Sequence, residues 1–148
     1  MTKYIVQFQG EHFFLSNFYA APIKHLGLLM PTVEHAFQAS KSKSKEDHKN
    51  VSLIVQPGLA KKYGKSVKLR SNWEEIKVNV MLKLVRKKFE IPVLREALLD
   101  TGNAKLVEGN YWGDVEWGVC RGKGKNKLGK ILMKVRKEIQ EQEDAPPW

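Results

Sequence analysis

A chain of 148 residues, 42% hydrophobic and 28% charged, is long enough for one substantial core, and no apolar run in it approaches the roughly 20 residues that span a bilayer. Its formal net charge of +10 favours phosphate-bearing partners without choosing between nucleic acid and a small nucleotide. The single cysteine, Cys120, excludes an internal disulfide. Together with an opening segment, Met1 to Val6, that has none of the pattern of a secretory leader, it fits the reducing cytoplasm and no membrane association.

Lys3 to Phe8 mixes polar and apolar residues, with the β-formers Tyr4, Ile5, Val6 and Phe8, which predicts a short strand. In Phe13-Phe14-Leu15-Ser16-Asn17-Phe18-Tyr19 the aromatics surround Ser16 and Asn17. The plainer reading is an apolar loop on the core, with Asn17 satisfying backbone groups. The sharper one is a pocket wall in which Asn17 offers donor and acceptor to a polar ligand edge. Pro22 to Leu29 reads as a second short strand, with Gly27 near a turn.

Pro31-Thr32 opens a helix with Thr32 as N-cap. Val33, Ala36, Phe37 and Ser40 form its inner face, while Glu34, Gln38 and Lys41 recur at i, i+4 and i+7 on another stripe. In the first turn the helix dipole favours an ionised Glu34, which suits a base or charge stabiliser better than an acid. Ordinary stabilisation of the helix start is the competing reading. His12, His25, His35 and His48 lack ligand spacing, so neither a metal nor a cofactor is expected.

Ser42 to Lys49 is charge-dense, and Lys45 to Gln56 predicts further helix, broken by Pro57-Gly58. Leu59 to Tyr63 reads as a short helical turn ended by Gly64, followed by the basic run Lys65 to Arg70. Ser71-x-x-Glu74 is a capping box that opens a central helix reaching Phe89, with Trp73, Ile76, Val80 and Leu84 on one seam. A tryptophan such as Trp73, in a first turn, is more often core than ligand platform. Ile91-Pro92 starts another helix to Asp100, closed by Thr101-Gly102, and Lys105 to Glu108 predicts a short strand.

The stretch Asn110 to Leu132 concentrates chemistry. Tyr111, Trp112 and Trp117 are flat rings, Asp114 and Glu116 lie between the two tryptophans, and a glycine-rich basic loop follows. Gly118, Gly122 and Gly124 allow close backbone approach, and Asn126 is read as the N-cap of the next helix. Free N–H groups at that helix start, near Arg121, Lys123 and Lys125, would receive an anion; a solvated basic turn is the alternative. The loop is one residue short of a Walker A spacing, and Gly124 stands where a magnesium-binding Ser or Thr should be. The last helix carries Leu128, Ile131, Leu132, Val135 and Ile139 in register, and Glu141 to Trp148 is expected to fray. The whole reads as α+β: one compact domain over 1–148, mostly helical with a few short strands.

The chain also resembles the NADAR, or YbiA-like, family. The matching stretches are Phe14 to Tyr19, Thr32 to Lys41, Asn72 to Lys77 with Val80-Met81, Leu106 to Asn110, and Trp117 to Val119 with Gly124 to Arg136. Met30, where relatives often have an aromatic, and Ser40, where Ala is common, depart from the pattern. The resemblance implies a compact, mostly helical fold and cleavage of an N-glycosidic bond between ribose and a nitrogenous group. Two substrate classes go with it: phosphorylated ribosylamino-pyrimidine intermediates of riboflavin synthesis, and ADP-ribose attached to guanine, free or in nucleic acid. It carries functional roles onto Glu34, Trp73 and Asp114, and pocket roles onto Asn17 and the glycine-rich loop.

N-glycoside hydrolysis passes through a ribosyl cation-like transition state that carboxylates stabilise, so Glu34 and Asp114 are expected to converge on one pocket. Ser16, Asn17, Phe18 and Gln38 would line it. Trp73, Trp112 and Trp117 would wall the base. Lys41 and the loop from Gly118 through Arg121 to Asn126 would receive phosphate. The rival class is a non-catalytic basic module for nucleotides, ADP-ribose or nucleic acid, using Lys61, Lys62, Lys65, Lys68, Arg70 and Arg86 to Lys88.

Overall fold

The computed structural model describes residues 3–148. The chain divides into two compact units: Asn17–Lys88, and a second made of the residues up to Ser16 together with Phe89–Trp148. Among the described residues there are six α-helices and three two-stranded sheets, which makes the chain α+β and mostly helical.

In the unit Asn17–Lys88, β2 (Ile23–His25) and β3 (Leu28–Met30) pair antiparallel. They follow β1 (Tyr4–Ile5) of the other unit in sequence. The single strand expected over Pro22 to Leu29 is therefore a hairpin. Its two-residue tip, Leu26 and Gly27, has φ of 55° and 73°, the left-handed geometry that a tight hairpin turn requires. Helix α1 (Val33–Ser40) is buried along its whole length. The helices α2 (Lys45–Ser52), α3 (Pro57–Gly64) and α4 (Trp73–Lys88) pack around it, together with the hairpin. Thr32 caps α1 as expected, its Oγ1 accepting the His35 N–H at 3.1 Å.

Three boundaries differ from those predicted. Helix α2 stops at Ser52 rather than Gln56, because the Ile54 N–H folds back to the Val51 carbonyl at 3.1 Å and Gln56, before a proline, is held extended with ψ 135°. Pro57 does not break a helix but starts α3, since its missing N–H costs nothing in a first turn. Helix α4 opens on Asn72, whose carbonyl accepts the Glu75 and Ile76 N–H groups, one residue later than the Ser71 box predicts.

In the other unit β1 is shorter than Lys3 to Phe8 and pairs parallel with β4 (Lys105–Leu106). The aromatic segment before Ser16 forms a 3-10 helix over Gly10–Leu15. Helix α5 (Pro92–Asp100) packs on α6 (Lys127–Asp144), tied by an Arg95–Glu143 ion pair. The stripe Leu128, Ile131, Leu132, Val135 and Ile139 is buried as read. Helix α6 continues to Asp144, so the tail expected to fray from Glu141 keeps another turn. The parallel pair β5 (Gly109–Asn110) and β6 (Val119–Cys120) brackets the aromatic stretch. Among the described residues no helix is long and apolar enough to cross a membrane.

Candidate active site

Glu34 occupies the first turn of α1 and is only 7% exposed. Its backbone N–H donates to the Asn17 carbonyl at 3.1 Å, which fixes the end of the aromatic segment against that turn. Asn17 is buried, with Nδ2 directed at Met81 Sδ, 3.5 Å away. One turn on, Gln38 Nε2 donates to Glu34 Oε1 at 2.8 Å. The predicted stripe is thus a physical pair, with an amide N–H holding one carboxylate oxygen.

Lys41, next on the stripe, is half-buried. Burial lowers its pKa below the ordinary lysine value, Lys61, Lys65 and Lys77 push in the same direction, and Glu34 opposes them. A buried carboxylate with cations gathered near it can hold a phosphorylated sugar: the lysines attract the phosphate and the carboxylate faces a developing cation. Arg70 closes the helix end by donating Nε–H to the Ser40 carbonyl and its backbone N–H to the Lys41 carbonyl, both at 2.8 Å. Trp73 is buried, its ring 5.1 Å from that of Phe37 and tilted by 55°. Its packing on Phe37 is that of a core side chain. Phe18 is half-buried in the same unit, while Ser16 belongs to the other, where its N–H closes the 3-10 helix on the Phe13 carbonyl at 2.9 Å.

Asp114 also lies in that other unit. Its Oδ1 accepts the N–H groups of Glu116 at 3.1 Å and Trp117 at 2.9 Å, an Asx-type turn. The Asn110 side chain brackets the same residue, accepting the Asp114 N–H at 3.0 Å and donating to its carbonyl at 2.9 Å. Lys127 pairs with Glu116 at 2.7 Å and lies 5.8 Å over the Trp117 ring, so both are engaged within the loop. Trp112 is 48% exposed and meets the 82% exposed Tyr111 edge to face. Beside this pair is a cavity of about 340 Å³ whose lining includes Gln7, Gln9, Asn110, Tyr111 and Arg121.

The glycine-rich loop differs from expectation. The N–H groups of Lys125, Asn126, Lys127 and Leu128 donate to the carbonyls of Val115, Gly118, Glu116 and Trp117 respectively. The helix start therefore has these donors already satisfied by the chain and does not offer them to an anion. Asn126 is not a side-chain cap either. It is left-handed with φ 51°, and its amide bridges the Leu106 carbonyl (2.9 Å) and the Glu108 N–H (3.0 Å). Gly118 is buried, and a Cβ there would lie 2.2 Å from the Glu108 carbonyl oxygen: the glycine serves close backbone approach. Arg121, Lys123 and Lys125 are exposed.

Sequence reading missed Lys61, Lys65 and Lys77 as charges acting on Lys41. The signal is the i, i+4 spacing of Lys61 and Lys65, which defines no face if Leu59 to Tyr63 is only a single turn. Among the described residues no cluster of three or more His, Cys, Asp or Glu side chains could hold a metal ion.

Residues 4–140 match the NADAR domain model, and the chain belongs to the NADAR family. It is 44% identical over 131 residues to the N-glycosidase YbiA of Escherichia coli (strain K12), covering 84% of this chain and 79% of that one. It is 37% identical over 147 residues to an N-glycosidase of Nostoc punctiforme, covering 95% and 94% of the two chains. A riboflavin biosynthesis protein of Vibrio vulnificus is 34% identical over 145 residues, which are 93% of this chain and 38% of that longer protein. The fold is that of the NMR structure of E. coli YbiA, with a TM-score of 0.87 at 38% identity, covering 100% of this chain and 92% of the other.

Proposed function

We propose that this NADAR-family protein is an N-glycosidase, a hydrolase of the bond between ribose and a nitrogenous group, and that its substrate is a phosphorylated ribosylamino-pyrimidine of riboflavin synthesis. The observation that carries this reading is the buried Glu34 carboxylate, held by Gln38 at 2.8 Å and acting electrostatically on the half-buried Lys41. The names of the relatives, two N-glycosidases and a riboflavin biosynthesis protein, support it.

As the C1′–N bond breaks, positive charge develops on the ribose, and the Glu34 carboxylate stabilises it and orients the attacking water. Water adds to C1′, and the departing nitrogen takes up a proton. The products are a free ribose phosphate and the aminopyrimidine. Lys41, Lys61 and Lys65 hold the phosphate. Asp114 is proposed as a catalytic carboxylate on the strength of the family resemblance, with its Oδ1 also bracing its own loop. Asn17 and Gln38 line the sugar side, and Trp73 backs that wall from the core.

A second reading, ADP-ribosylated guanine as substrate, is favoured by one observation. The exposed Tyr111 and Trp112 rings stand in the same stretch as the exposed Arg121, Lys123 and Lys125. Such a surface suits a larger substrate carried on nucleic acid.

The test is to incubate the protein with each substrate and follow free ribose phosphate or ADP-ribose. Glu34→Gln should lose at least about 10²-fold in kcat with an unchanged circular dichroism spectrum, since positioned acid–base and charge-stabilising groups contribute on that scale. Salt-sensitive retention of ligand without product would instead identify a binding module.

A further inference from the structure

Gly64, the last residue of α3, is buried. A Cβ built on it would lie 1.8 Å from Gln38 Oε1, 2.7 Å from Gln38 Cδ and 3.1 Å from Gln38 Cβ. The Gln38 amide therefore lies directly against the α3 backbone. Gln38 is 4% exposed, and its Oε1 has no hydrogen-bond partner among the described residues. A buried carbonyl left this way is unfavourable, so something must hold it there. Turning the amide over would bring its oxygen against Glu34 Oε1, where the N–H now donates at 2.8 Å, and two acceptors would repel. Glu34 thus selects the orientation of the amide, and the absent side chain at position 64 leaves room for the oxygen that results.

The backbone gives no other reason for glycine here. Gly64 is not among the residues with positive φ, and helix propensity favours alanine at such a site. We propose that Gly64 is a positioning residue: by seating the Gln38 amide it fixes the Glu34 carboxylate in its working orientation, without itself touching substrate. This rests on the role given to Glu34 above. The nearest colliding atom is the far end of a flexible side chain, so Gly64→Ala should fold while its methyl group drives the amide off Glu34.

The experiment is a double-mutant cycle on ribosylamino-pyrimidine phosphate hydrolysis, with Gly64→Ala, Gln38→Ala, the double variant and Glu34→Gln measured together. Gly64→Ala should lower kcat by about 10–100-fold, the scale of a lost hydrogen bond to a charged group, with KM changed no more than about twofold, and Gln38→Ala should lower kcat on the same scale. The double variant should be no slower than Gln38→Ala alone, because the shortened side chain no longer collides. Wild-type kcat in Gly64→Ala, or losses that multiply in the double variant, would overturn the proposal. If Gly64→Ala does not fold, recovery of the fold in the double variant supports the collision, and failure of both sinks it. A dead Glu34→Gln beside an unaffected Gly64→Ala refutes only the positioning role. Normal turnover in Glu34→Gln refutes the functional reading itself.

Discussion

Asn126 separates a structural from a ligand-binding role, and replacing it with alanine gives a number to check. Two hydrogen bonds disappear, one to the Leu106 carbonyl at 2.9 Å and one from the Glu108 N–H at 3.0 Å. Leu106 is fully buried and Asn126 half-buried, so the orphaned backbone groups cost about 1 kcal/mol each, the low end of the range for unsatisfied polar groups. Alanine must also hold φ near 51°, which costs it about 1 kcal/mol where Asn or Gly is tolerated. The sum is about 3 kcal/mol, or roughly 10 °C in Tm for a chain of this size. Asn126→Gly, free of the backbone strain, should recover about 1 kcal/mol of that. Urea unfolding followed by circular dichroism measures all three proteins, with an unchanged m-value as the condition for comparison. An Asn126→Ala protein of wild-type stability but raised KM would refute the reasoning and return the side chain to the substrate.

Other outcomes follow from the same geometry. Lys61→Gln and Lys65→Gln should each raise KM for the phosphorylated substrate about 3–10-fold at low salt, as expected for a charge-assisted contact; an equal effect on a dephosphorylated substrate would deny them the phosphate. Asp114→Asn keeps an oxygen for the Glu116 and Trp117 N–H groups, so it should fold normally and lose about 10²-fold in kcat if the carboxylate acts in catalysis. Asp114→Ala should in addition be less stable by about 1–2 kcal/mol from the broken turn. His25 has its pKa lowered from 6.5 to about 4, by burial first and then by Lys87, Lys83, His48 and Arg70. Between those values the unfolded chain binds the extra proton, so this contribution to stability is complete above pH 6.5 and is lost as pH falls towards 4. The urea midpoint should decline across that window, and His25→Gln should flatten the decline; an unchanged slope in the variant would exclude His25 as its source.

Helix α1 was legible because three local signals agree: the Thr32 cap, the inner-face period, and the Glu34, Gln38, Lys41 stripe. Helix α3 was not, because Pro57-Gly58 is equally a stop and a start, and only packing against α1 decides. That ambiguity leaves Lys61 and Lys65 in the rival basic surface and Gly64 as a mere helix end. The pair β5–β6 has two residues per strand, too few for any period to register. In the glycine-rich loop the sequence displays only the donors. What settles its character is where the acceptors lie: the carbonyls of 115–118 reach the N–H groups of 125–128, a pairing no local pattern announces. The bond between Gln38 and Glu34 was implicit in their i, i+4 spacing, while the reason for its fixed orientation lies on another helix.

The parallel pairing of Tyr4–Ile5 with Lys105–Leu106 has a consequence for biosynthesis. The first strand leaves the ribosome about a hundred residues ahead of its mate, whereas Asn17–Lys88, uninterrupted in sequence, is complete while the polypeptide is still growing. Translation order therefore lets the segment bearing Glu34 gather its helices first, and leaves the amino-terminal strand waiting for the ribosome to deliver its partner.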